Sequence, residues 1–133
     1  MRMNPNARKW SELSGFKRDA IVAALRLGGS PGSEPEDRPY GLGIKRELEI
    51  IRDVEVNHGR LYPNLDDLVD AGLMSKGERD KRTNTYHVTQ AGVDAFEGYL
   101  GHYAGISPAG LGVAHAPAEE FDKQTSNERG SGE

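Results

Sequence analysis

The chain has 133 residues, enough for one ordinary domain, and only 35% of them are hydrophobic, so a packed core is expected in part of the chain alone. Cysteine is absent, which excludes disulfides, thiolate metal sites and thiol catalysis and makes a cytoplasmic setting the default. The net charge of −4 does not advertise a polyanion partner, but it is uneven: residues 102–133 hold two basic and five acidic side chains, and residues 1–101 hold fifteen and sixteen.

Residues 1–12 carry basic side chains with no apolar stretch behind them, so they read as an N-terminal arm and not as a secretory signal. No apolar run approaches the length of a membrane span. The first predicted helix runs from about Ser14 to Leu27, with Phe16, Ala20, Ala23, Ala24 and Leu27 spaced by threes and fours and Gly28-Gly29 closing it. Residues 28–39, GGSPGSEPEDRP, form a loop. A second helix is predicted from about Tyr40 to Asp53 on the buried stripe Ile44, Leu48 and Ile51. A third is predicted from about Gly59 to Ala71 on Leu61, Leu65, Leu68 and Val69, with Gly72 as its left-handed closing residue. Pro63 is compatible with this third helix only if the helix starts at His58 or Gly59, because proline clashes with the carbonyl four residues back.

A hairpin follows. Leu73 to Lys76 is a short strand, Thr85 to Val88 is the return, and the polar segment Gly77 to Asn84 connects them. Tyr86 and Val88 share one face, and Thr85 and His87 the other. The fourth helix starts after Thr89, a good N-cap, and its stripe is Val93, Phe96, Leu100 and Tyr103, widened by Tyr99. It has no packing partner in the sequence pattern and must find one. Residues 102–133 read as a disordered, acidic tail. The expected fold is mainly α with a small β hairpin: a winged helix-turn-helix over residues 13–101, including a C-terminal dimerisation helix.

Catalytic and metal chemistry find no foothold, so neither an enzyme nor a cofactor is expected. His58, His87, His102 and His115 lack metal-ligand spacing. Gly41-Leu42-Gly43-Ile44-Lys45 lacks the spacing of a phosphate loop and follows no strand. The informative stretch is residues 54–89. Asn57, His58, Arg60, Tyr62 and Asn64 gather at the start of the third helix, off the leucine stripe, where free backbone N–H groups suit phosphate. Asn and Arg are well matched to adenine and guanine edges, and a helix-turn-helix brings this part of its second helix to the major groove. The hairpin tip adds Arg79, Lys81 and Arg82. Each feature also has an ordinary reading: Asn57 as a cap, Arg60 and Tyr62 as groups packed on the second helix, the charged tip as solvated turn. Their combination on the two elements a winged helix uses favours double-stranded DNA as partner, with a salt-dependent affinity.

The same stretch resembles the PadR family of transcriptional regulators, especially its archaeal-type members. The resemblance lies in Gly59-Arg60-Leu61-Tyr62-Pro63-Asn64-Leu65, Leu68 and Gly72-Leu73, then Arg82-Thr83-Asn84-Thr85-Tyr86 with Thr89 and Gly92, and less specifically Phe16-Lys17-Arg18-Asp19 and Tyr40-Gly41-Leu42. It covers about Leu13 to Leu100. The resemblance implies a homodimeric repressor of a two-fold operator. The family's DNA contacts would fall on Arg60, Tyr62 and Asn64 and on the wing tip, with Arg79, Lys81, Arg82, Thr83 and Asn84; Asn57, His58 and Gly59 complete the candidate set as the rest of the helix start. It implies a dimer interface of the last helix against the first segment, here Val93, Phe96, Tyr99 and Leu100 with Trp10 and Leu13. Three departures stand out: Asp66, Asp67 and Asp70 where members often carry basic residues, a long loop at 28–39, and a short fourth helix. The alternatives are a winged helix used for protein interaction, and a repressor with a small-molecule effector at the dimer interface.

Overall fold

The computed structural model describes residues 5–104 and 106. The first compact unit ends at Gly101, and the tail assigned from sequence to 102–133 lies almost wholly outside the described residues. The first unit contains α1 (Pro5–Ser11), α2 (Gly15–Arg26), α3 (Gly41–Arg52), α4 (His58–Asp70), strands β1 (Met74–Asp80) and β2 (Thr83–Val88), and α5 (Gln90–Leu100). None of the helices in the described residues is long and apolar enough to cross a membrane.

Most of each stripe read from sequence becomes core, with two corrections in α2: Leu27 is 37% exposed, because it is the cap residue past the helix end, and Ile21, outside the expected stripe, is buried. Ile21 of α2, Ile44 and Leu48 of α3, and Leu61, Leu65 and Leu68 of α4 are fully buried, together with Met74, Tyr86 and Val88 of the hairpin. Local signals set the helix ends. Ser14 accepts a hydrogen bond from the Lys17 amide and caps α2, and Thr89 accepts one from the Gly92 amide and caps α5. Past α4, Gly72 has φ +77, and the amides of Gly72 and Leu73 return to the carbonyls of Val69 and Leu68. This closure needs a left-handed residue, which is why glycine stands there. Pro63 sits inside α4, but the carbonyl it leaves without an amide partner is that of Gly59, in the first turn.

The hairpin is longer than expected. The strands pair from Met74 opposite Val88 to Asp80 opposite Thr83, leaving Lys81-Arg82 as the turn, with an irregularity between Glu78 and Asp80 that makes Arg79 the extra residue. The segment assigned to a connector is therefore mostly strand. Its outer part is exposed and polar, so main-chain pairing forms it without the apolar alternation that marks a half-buried strand.

The loop of residues 28–39 supplies a third edge to this ribbon. The Val88 amide donates to the Gly29 carbonyl at 2.8 Å and the Tyr86 amide to the Pro39 carbonyl at 2.9 Å, and Tyr40 bridges to Thr85. Thr85 is consequently buried, although the alternation placed it with His87 on the outer face. A short 3-10 turn, Pro35–Asp37, lies within the loop.

The N-terminal segment corrects the sequence reading most. Residues 5–11, within the segment read as an N-terminal arm, are a helix; α1 begins on Pro5, whose fixed φ suits a first helical position. Trp10 is 5% exposed, with its ring centroid 5.3 Å from Phe96 and 6.2 Å from Tyr99. The partner that α5 needed is therefore α1 of the same chain. A single chain does not expose Val93, Phe96, Tyr99 and Leu100 together: the first three are partly buried against the core, and Leu100 is exposed. Tyr103 falls in the turn after α5, off the helix on which its spacing placed it.

Candidate nucleic-acid interface

The start of α4 is built by four contacts. The Asn57 side chain accepts a hydrogen bond from the Arg60 amide at 2.8 Å, so it caps the helix. The Arg60 guanidinium lies over the ring of Phe16 in α2, 4.3 Å from its centroid, while Arg52 of α3 approaches the same ring at 5.3 Å. His58 stacks on Tyr62, with centroids 5.8 Å apart and rings 8° from parallel. The Asn64 side-chain amide donates to the Arg60 carbonyl at 2.7 Å. Asn57, His58, Gly59 and Arg60 are exposed, and Tyr62 and Asn64 are half-buried. The ordinary reading of Asn57 as a cap is thus correct, whereas Arg60 packs on Phe16 of α2 and not on the second predicted helix, now α3; both residues still face solvent at the start of α4.

The motif Phe16-Lys17-Arg18-Asp19 acquires a physical meaning. Phe16 is the platform for Arg60 and Arg52. Lys17 pairs with Asp67 at 3.1 Å. Arg18 donates to the carbonyls of Ser11 and Leu13 and lies over the Tyr99 ring. Asp19 pairs with Arg52 at 2.7 Å. Two of the acids that depart from the usual family pattern carry cations of their own, Asp67 with Lys17 and Asp66 with Lys76 at 3.5 Å. Such exposed pairs add little stability, but each lessens the negative field near α4.

On the wing, the five basic and polar candidates separate. Lys81 and Arg82 occupy the turn and are exposed, whereas Thr83 and Asn84 are half-buried. Arg79 is tied away from the tip, its Nη1 donating to the Glu36 carbonyl at 2.9 Å. Asp80 holds the turn by accepting from the Arg82 amide at 2.9 Å; that bond, and the hydroxyl of Thr83 after it, keep its carboxyl below the usual carboxylate range.

Between these elements lies a groove of about 680 Å³ lined by Tyr40, Gly41 and Leu42 of the α3 start, Tyr62 of α4, and Arg82, Thr83 and Asn84 of the wing. Tyr40 and Leu42 are 40% and 43% exposed. Neither was singled out as a site residue from the sequence. The available signal was two apolar side chains at a helix start, away from the stripe Ile44, Leu48 and Ile51. Gly41 is fixed by the same groove, because a β-carbon there would lie 2.7 Å from Cε1 and 2.9 Å from Oη of Tyr62.

No cluster of metal-ligating side chains occurs among the described residues. Burial pushes the Tyr86 hydroxyl up to about 12, so it stays protonated inside the core. Burial, then the charge of Arg38, lowers His87 below the usual histidine value. Of the dimer candidates, Phe96 and Tyr99 of α5 pack on Trp10 of α1, Leu13 and Val93 are half-buried against the core, and Leu100 is exposed.

Residues 35–98, which span α3, α4, the wing and most of α5, match the model of the transcriptional regulator PadR-like family. The solved complex of hsRosR-S4 is 36% identical over 96% of this chain and 99% of that chain, with a TM-score of 0.62. RosR of H. salinarum, in crystals grown from NaBr, is 37% identical over 90% of this chain and 96% of that chain, with a TM-score of 0.57. F93 from STIV, a winged-helix DNA-binding protein, covers 69% of this chain and 91% of its own at 21% identity and a TM-score of 0.52, a likeness of fold alone. Comparison with curated protein sequences gave no match. The chain is a winged helix and belongs to the PadR-like family of DNA-binding transcriptional regulators.

Proposed function

We propose that the chain is a homodimeric, sequence-specific repressor that sets the start of α4 in the major groove and the wing turn on the backbone. The observation that carries this reading is the convergence of three elements on one groove: the starts of α3 and α4 and the wing turn. Asn57, His58, Gly59, Arg60, Tyr62 and Asn64 supply the α4 contacts, with base reading assigned to Arg60 and Asn64. Lys81, Arg82, Thr83 and Asn84 supply the wing contacts, and Tyr40 and Leu42 join them from the α3 start. The acids Asp66, Asp67 and Asp70 place the footprint at the helix start and not along its length.

The dimer forms through the outer side of the α1–α5 pair. Trp10 and Phe96 are support inside each protomer, and Leu100, with Val93 and Tyr99 at its edge, is contact surface. Leu100 is 47% exposed, while the other large apolar side chains of α5 are partly buried, which supports this assignment.

Selection of bound duplexes from a random pool tests the reading. The expected product is a two-fold site whose half-sites are separated by about one helical turn, roughly 34–36 Å, or a multiple of it. Recovery of no enriched sequence, with a stable protein partner on pull-down, would assign the fold to protein interaction instead.

A further inference from the structure

Arg79 was a DNA-contact candidate by its place in a basic hairpin connector, and the geometry gives it a different task. It is the extra residue at the irregularity between Glu78 and Asp80, so its side chain leaves the alternation of β1. Its guanidinium reaches 43 residues back along the chain to the Glu36 carbonyl. That carbonyl belongs to the 3-10 turn Pro35–Asp37, whose loop is already bonded to β2 through Gly29 and Pro39. Arg38 steadies the same loop by donating to the Ser33 carbonyl at 3.0 Å. A two-stranded ribbon with an exposed polar tip is marginal by itself. The inner half of this ribbon is held by the core and by the loop's main chain, whereas its outer half has the Arg79 bond across to the loop.

We propose that Arg79 is a positioning residue, which latches the outer half of the wing to the 28–39 loop and so fixes where the Lys81-Arg82 turn meets the DNA backbone. The long loop is then part of the binding apparatus. This proposal rests on the wing contacting DNA as described above. A latch and a phosphate contact differ in two observables. A latch orders the wing in the free protein and leaves the number of neutralised phosphates unchanged. A phosphate contact does neither.

The experiment uses the full chain with the changes Arg79→Ala, Arg79→Lys and Arg82→Ala. Amide hydrogen exchange is measured on the free proteins, and affinity for a random-sequence duplex is measured across a salt series. For Arg79→Ala, faster exchange is expected at both the wing tip and residues 35–37. Its affinity should fall by about two- to tenfold, the range of one hydrogen bond. Its slope of log affinity on log salt should equal that of the parent. Arg79→Lys, which keeps a donor of similar reach, should recover most of the affinity and the slow exchange. Arg82→Ala should leave exchange at 35–37 unchanged and alter the salt slope by about one. Equal slope changes for Arg79→Ala and Arg82→Ala, or unchanged exchange at 35–37 in Arg79→Ala, would overturn the latch. Failure of the parent to bind DNA would defeat the DNA reading alone, because the exchange measurement still decides whether the latch exists.

Discussion

The ring of Tyr62 lies directly on the backbone of Gly41, joining the start of α3 to the start of α4 with no room for a β-carbon between them. His58 stacks on that same ring, so one tyrosine sets the spacing of two helix starts and lines the groove between them and the wing. Gly41→Ala should destabilise the protein by about 1–3 kcal/mol, the usual cost of overpacking, and should weaken DNA binding. Combining it with Tyr62→Ala should restore part of the stability, so a double-mutant cycle in denaturant will show strong non-additivity.

Asn57 is the cap of α4, and its side chain occupies the Arg60 amide. Asn57→Ala should lower stability by about 0.5–2 kcal/mol, whereas Asn57→Asp, which keeps the acceptor, should preserve it. Thermal unfolding of the two variants checks this.

Asp67 and Asp66 are paired with Lys17 and Lys76, so neutralising either acid releases a lysine near α4. Asp67→Asn should therefore raise affinity for random-sequence DNA and should narrow the gap between operator and random DNA. Its stability should change by less than about 1 kcal/mol, since the pair is exposed. Parallel titrations on the two duplexes measure both effects.

His87 titrates below the ordinary histidine value of 6.5 because burial and Arg38 disfavour its cation. The unfolded chain then takes up its proton first as the pH falls. Stability from this residue is complete above the unfolded value and is lost as the pH drops through it toward the folded value. Denaturant midpoints across that window should fall in the parent and fall less in His87→Gln.

Trp10 fills the space between α1 and α5. Trp10→Ala should cost about 3–5 kcal/mol as a core truncation, and Leu100→Asp should leave the protomer folded while dissociating the dimer. Sedimentation with far-ultraviolet circular dichroism separates the two results. A parent that sediments as a monomer at micromolar concentration would remove the proposed dimer.

Much of this architecture was legible in the residues. The stripes of α2, α3 and α4 differ from their surroundings by apolar spacing, and Ser14, Asn57, Gly72 and Thr89 mark ends through their own side chains or lack of one. The helix at Pro5–Ser11 was not legible, because its buried residues are only Ala7 and Trp10, too few to set a period. The outer strands were missed for a related reason: their side chains are polar, exposed on β1 and only half-buried on β2, so no apolar alternation marks them. At the site, the α4 cluster and the wing turn were visible by residue type. The packing of Arg60 on Phe16, the return of Arg79 to Glu36 and the addition of Tyr40 and Leu42 depend on contacts between distant segments, which no local pattern encodes.

Titration of the parent and of the double variant Arg60→Ala, Arg82→Ala against the promoter of the chain's own gene and against random DNA tests the central claim most directly. The account predicts a loss of about tenfold or more on the promoter and a smaller one on random DNA, since Arg60 reads bases and Arg82 holds the backbone. A double variant that binds both duplexes like the parent would contradict it.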